Sequence, residues 1–112
     1  MKRYLDIINH FGIRNQMKKL NEECYEFLEA VDAYEDSLRE LSEHGYSKDD
    51  TDLFMTEELR DAMIDEMGDV LLLLTQFIAL YKIDKNVLDK HMDYKLNRTE
   101  KYIENILQKG GF

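Results

Sequence analysis

Two pairs of carboxylates at helical spacing are the residues of this chain best placed to act together. Glu23 and Glu26 form one pair, Glu66 and Asp69 the other, each three residues apart. Side chains at i and i+3 are neighbours on a helix surface, so each pair presents two adjacent carboxyl groups. A lone ionised carboxylate on a buried face is costly unless it is paired or bound to a metal. Two such pairs facing each other would crowd four like charges into one pocket, and a cation must then sit among them. Hard, oxygen-ligated ions suit that donor set, so Mg²⁺ or Mn²⁺ is the expected ion.

Other metal and nucleophile chemistries fit less well. A di-iron carboxylate bundle uses Glu-x-x-His, but the residues three before His10, His44 and His91 are Ile7, Leu41 and Leu88. Zinc ligand spacing and a glycine-rich phosphate loop are both absent. The single cysteine, Cys24, falls on an apolar stripe, where packing is its expected role. The competing reading of the acids is a solvated helix face, or interhelical pairs with Lys18, Lys19 or Arg60. Glu66 tips the balance, because it lies inside an apolar stripe.

The elements that must position these acids are helices. Met17, Leu20, Cys24, Phe27, Val31, Tyr34, Leu38 and Leu41 recur at spacings of three and four, which predicts one amphipathic helix from about Arg14 to His44. With Leu20 as zero on a helical wheel, Glu23 lies roughly 60° and Glu26 roughly 120° from the apolar centre, on the same side. Ala30 and Ala33 continue that side and would let another helix approach. Glu22 lies further round, and Glu29 faces solvent.

Leu59, Val70, Leu73 and Phe77 define the stripe of a second long helix that runs to about Tyr81. Asp69 sits roughly 60° from Glu66, at the edge of that stripe. Thr56 is the expected N-cap, with Glu57 and Glu58 in the first turn favouring the helix dipole. A short helix over Lys2–Asn9 ends near Gly12, Gly45 is the expected C-cap of the first long helix, and Tyr46–Asp52 reads as a loop. Asp84 is the expected cap of a last helix through about Leu107, ahead of a frayed Gly110-Gly111-Phe112 tail. The prediction is one all-α domain over residues 1–112: an antiparallel bundle of three long helices plus a short leading one, completed by oligomerisation.

Composition agrees. Charged residues make up 35% and hydrophobic residues 44%, a globular balance, and no proline interrupts a helix. The net charge of −9 argues against a nucleic-acid polymer as partner, because such binding relies on Lys and Arg neutralising phosphates. A small phosphorylated ligand bridged by metal ions is compatible with that charge. The basic pair Lys2-Arg3 is followed by no apolar signal core, and the longest apolar run, Val70–Leu74, is too short to span a bilayer. With a lone cysteine besides, a cytoplasmic location is expected.

Taken together, Lys19-Leu20-Asn21-Glu22-Glu23-Cys24-Tyr25-Glu26 and Asp65-Glu66-Met67-Gly68-Asp69-Val70-Leu71 resemble the two signatures of the MazG-like nucleoside triphosphate pyrophosphohydrolases. Their order is the family's Glu-Glu-x-x-Glu, then a spacer, then Glu-x-x-Asp followed by apolar residues. Gln16 ahead of the first signature fits, and Lys95-Leu96-Asn97-Arg98 resembles the basic segment that contacts substrate phosphates. The resemblance spans about Gln16 to Arg98. It implies an all-α fold, Mg²⁺ dependence, hydrolysis of (deoxy)nucleoside triphosphates to monophosphate and pyrophosphate, and assembly as a homodimer or homotetramer.

Carried over onto this chain, the metal ligands are Glu22 or Glu23, Glu26, Glu66 and Asp69. Glu22 or Glu23 is the expected group that positions or deprotonates the attacking water. Lys95 and Arg98, with help from Lys19, would steady the phosphates, and Asn97, His10 and Tyr94 are candidates for the base. The run Leu71–Leu74 has more apolar faces than one neighbour can cover, and a second subunit or the last helix would cover the remainder. Related superfamily activities on dUTP or phosphoribosyl-ATP, and a non-catalytic acidic interaction module, are the alternatives.

Overall fold

The structure, a computed structural model, describes residues 1–44 and 50–110. Four helices follow in order: α1 (Lys2–Phe11), α2 (Ile13–His44), α3 (Asp50–Leu80) and α4 (Lys85–Gln108). There is no strand among the described residues. The all-α prediction holds, and the chain divides into two compact units, 1–80 and 81–112.

In the first unit α2 packs along α3, and α1 packs on both. Gly12 makes the corner between α1 and α2. Its φ of +88° lies where side-chain-bearing residues are strained, its N–H donates to Ile8 O at 2.8 Å, and its carbonyl accepts from Gln16 N at 3.1 Å. A Cβ there would meet nothing within 4 Å, so the demand for glycine is conformational, not steric. The corner folds Ile8, 1% exposed, into the interior.

Two hydrogen bonds fix the register of α2 on α3. Gln16 Nε2 donates to Gln76 Oε1 at 2.7 Å, and the Ser37 and Thr56 hydroxyls bond at 2.5 Å. Moving twenty-one residues forward along α2 thus moves twenty residues back along α3, which makes the helices antiparallel and nearly in step for about six turns. Thr56 is therefore not the predicted N-cap. α3 begins six residues earlier, at Asp50, and Thr56 is buried inside it, where its hydroxyl faces Ser37. Part of the predicted loop, residues 50–52, is helix as well. Gly45 and the residues to 49 lie outside the described residues, as do Gly111 and Phe112.

The interior of this unit is unusually polar. Among the described residues, Ile8, Leu41, Leu73 and Ala79 are its buried apolar side chains, and they are matched by buried Gln16, Glu23, Thr56 and Gln76. All four polar residues lie on α2 or α3. Glu29 is exposed as expected, and Cys24 is partly buried on the α2 stripe.

The second unit is α4 with its leading turn. Asp84 caps the helix as predicted, its carboxylate accepting from Asn86 N at 2.7 Å. Lys82 has a φ of 51°, the left-handed conformation common just past a helix end. α4 ends at Gln108, with Lys109 N donating to Asn105 O at 3.2 Å. No residue of α4 is buried, and Val87, Met92, Leu96, Ile103 and Leu107 are each more than half exposed.

Candidate metal centre and groove

The antiparallel register places the two acid pairs opposite each other. Glu23 and Glu26 on α2 meet Glu66 on α3, and one carboxylate oxygen from each lies within 4.8 Å of the others. Asp65, Glu66 and Asp69 form a second such group, so Glu66 is common to both. Each of these groups is able to hold a cation with oxygen ligands alone.

The electrostatics of Glu23 and Glu66 differ. Glu23 is 5% exposed, and one of its oxygens takes an ion pair from Lys19 Nζ at 3.0 Å. That hydrogen bond, one helical turn away, holds its carboxyl below the usual range against the opposing pull of burial. Glu66 has no such partner. Burial, followed by the charges of Glu26, Glu23 and Asp69, pushes its carboxyl above the usual range. Among the described residues, Glu23 Oε2 and Glu66 Oε2 are both buried and neither has a hydrogen-bond partner. A buried acceptor without a donor is costly. Two of them at one place fit a divalent cation, whose preferred ligands are carboxylate oxygens.

Beside the acids runs a groove of about 730 Å³ between α2 and α3. Glu22, Glu23, Asp69, Lys18 and Lys19 line one end of it, and Phe11, Asn15, Gln16 and Gln76 the other. Leu72 and Leu73 lie between. Asp69, Leu72, Leu73 and Gln76 share one side of α3, which is the wall it gives to the groove. Leu71 and Leu74, 55% and 42% exposed, are left uncovered within the unit.

The structure thus gathers Glu23, Glu26, Glu66 and Asp69, with Glu22 and Lys19 on the adjoining groove. Lys95, Asn97 and Arg98 are exposed on α4, in the second unit, where the Arg98 guanidinium lies 5.8 Å from the centre of the Tyr94 ring. His10 is exposed on α1, its ring edge-on to Phe11 at 4.8 Å. Sequence reasoning did not assign Asp65 to the metal group or Gln76 to the groove. The available signal was spacing: Gln16 is seven residues before Glu23 and Gln76 seven after Asp69, two turns along the same helix face.

Residues 11–103 match the family model of the MazG nucleotide pyrophosphohydrolase domain. The chain belongs to this family. Neither the curated proteins nor the solved structures compared with it gave a match. Both acid pairs and the groove fall within the matched span. No helix among the described residues is long and apolar enough to cross a membrane.

Proposed function

We propose that this MazG-domain protein hydrolyses (deoxy)nucleoside triphosphates in a Mg²⁺-dependent reaction, releasing the monophosphate and pyrophosphate. The observation that carries the reading is the pair of orphaned buried oxygens, Glu23 Oε2 and Glu66 Oε2, in an acid cluster whose Glu23 and Asp69 line a groove of about 730 Å³. Glu23, Glu26, Glu66 and Asp69 would hold the ion, with Asp65 beside them. Bound there, Mg²⁺ supplies charge neutralisation for the phosphates and lowers the pKa of a coordinated water.

The chain's own residues do the rest. Glu22 is exposed on the groove wall next to Glu23. It takes the proton from the attacking water as the new bond to the α-phosphorus forms. The bond from that phosphorus to the oxygen bridging the α- and β-phosphates breaks, and pyrophosphate departs with its electron pair. Lys19, half exposed, holds Glu23 until substrate arrives and is near enough to receive a phosphate oxygen in its place. Lys95 and Arg98 are the further phosphate ligands, and Asn97 completes that basic segment. The uncovered leucines of α3 and the apolar residues of α4 support a homodimer or homotetramer. A nucleotide substrate fits a cytoplasmic location.

The test is pyrophosphate release from a panel of canonical and modified triphosphates, with Mg²⁺ and with EDTA, alongside detection of free phosphate. Mg²⁺-dependent pyrophosphate and monophosphate is the expected result. Turnover of dUTP alone, or of phosphoribosyl-ATP alone, would narrow the substrate. Silence in protein that Mg²⁺ does not stabilise would replace the reading with a non-catalytic acidic interaction module.

A further inference from the structure

Gln16 and Gln76 are buried at 7% and 5% exposure, yet both line the groove. A primary amide carries two donor hydrogens and an acceptor oxygen. The bond from Gln16 Nε2 to Gln76 Oε1 uses the nitrogen of one and the oxygen of the other. Gln16 Oε1, an acceptor, and Gln76 Nε2, a donor, are left over from that bond. The pairing edge of a nucleobase has the complementary alternation: an amino group beside a ring nitrogen in cytosine and adenine, a carbonyl beside a ring N–H in uracil, thymine and guanine.

The placement also suits a nucleotide. Gln16 and Gln76 are each two turns, or roughly 10 Å, from the acid on their own helix. Because α2 and α3 are antiparallel, both displacements run in the same direction. A phosphate group held at the acids would put the sugar across the leucines and the base at the amides. Phe11, 53% exposed on the same end of the groove, offers a ring face for stacking.

We propose that the Gln16–Gln76 pair is the base-reading element of the groove, and that it accepts amino and keto bases alike. The tolerance follows from the symmetry of the pair. Turning both amides over keeps one bond between them, now from Gln76 Nε2 to Gln16 Oε1. It exchanges the donor and acceptor offered to the base. This inference rests on the nucleotide-hydrolase reading for its ligand, but its test does not require turnover.

Equilibrium binding of dCMP, dUMP and 2-deoxyribose 5-phosphate is measured by calorimetry with Mg²⁺ present, in the wild type and in the Gln16→Met/Gln76→Met double variant. Methionine keeps the volume of the side chain and removes its polar atoms, so the fold is retained and a thermal melt checks it. In the wild type dCMP and dUMP bind within about tenfold of each other, and both bind ~10- to 100-fold more tightly than the abasic sugar phosphate, as two net hydrogen bonds allow. In the double variant that advantage disappears while abasic binding is unchanged.

Equal weakening of all three ligands would overturn the proposal and make the pair a structural brace. So would an unchanged preference for the nucleotides, or a wild type that separates dCMP from dUMP by more than about 100-fold, beyond what a reversible amide pair permits. Pyrophosphate release is assayed in parallel. Base-dependent binding that the double variant loses, in a wild type silent toward every triphosphate, would overturn the hydrolase reading and support the amide pair.

Discussion

Two stretches of the α2–α3 seam bury polar side chains in opposite ways. In one, Gln16 and Gln76 satisfy each other in a 2.7 Å bond. In the other, two to three turns along, Glu23 and Glu66 each keep a buried oxygen without a partner. The difference lies in the functional groups. An amide is both donor and acceptor, so two of them close a bond unaided, whereas ionised carboxylates only accept. A carboxylate cluster needs a proton, a basic side chain or a metal ion from outside itself. Lys19 meets part of that need at Glu23, and among the described residues no basic side chain serves Glu66 in the same way. The amide pair closes one bond unaided and keeps one acceptor and one donor over, whereas the acids need a guest before their buried oxygens are met at all.

The largest break in this comparison comes from removing one acid. Glu66→Gln and Glu23→Gln should each lower pyrophosphate release by more than the ~10- to 100-fold typical of losing even an outer-shell partner of a metal, with helicity unchanged by circular dichroism. Full activity in either variant would dissolve the site as assigned. The wild type should also be stabilised by the ion itself. At Mg²⁺ a hundredfold above its dissociation constant the gain is about 2.7 kcal/mol, or on the order of 10–20 °C in Tm for a unit of this size. A thermal melt in EDTA against Mg²⁺ reads it directly, and both variants should lose most of the shift.

The amide end should respond to a different logic. Gln16→Leu alone leaves Gln76 unpaired and should cost about 1–3 kcal/mol, while the Gln16→Leu/Gln76→Leu pair should cost less than either single change. Urea unfolding of the four proteins in the cycle measures the coupling. A double variant as damaged as the sum of the singles would mean that each amide is held by something other than its partner.

How much of this was legible in the residues follows the same division. The acids were found because Glu66 interrupts an apolar stripe, and a charged residue in a hydrophobic period is visible without coordinates. Their meeting across two helices was inferred from the need to bury both stripes. The amide pair was not found: a glutamine on a helix face reads as solvated surface, and only the register shows Gln16 opposite Gln76. Thr56 was misread for a related reason. A threonine before Glu57 and Glu58 has the local chemistry of an N-cap, but packing against Ser37 extends the helix through it. Local signals identified the elements, and the contacts between α2 and α3 decided where they end and which polar groups they join.

The smallest effect separates the two buried acids from each other, through the sign of their stability change in metal-free protein. Glu66 titrates above the usual range, chiefly from burial and then from the charges of Glu26, Glu23 and Asp69. Its folded-state pKa exceeds the unfolded one, so its contribution is present below the unfolded pKa and is lost as pH rises through the folded value. At neutral pH it is a burden that Glu66→Gln should relieve, raising the Tm in EDTA. Glu23 is shifted the other way by its hydrogen bond from Lys19. Its contribution is present above the unfolded pKa and is lost as pH falls through the folded value, so Glu23→Gln should lower the Tm under the same conditions. Below about pH 4, near the unfolded carboxylate range, Glu66→Gln should converge on the wild type, and Glu23→Gln should do so only at lower pH, once Glu23 itself takes up a proton. Two substitutions that abolish the same activity would then move stability in opposite directions. If both lowered the Tm at neutral pH, the unpartnered state of Glu66 would not be a cost to the metal-free fold, and the contrast between the two acids would fail.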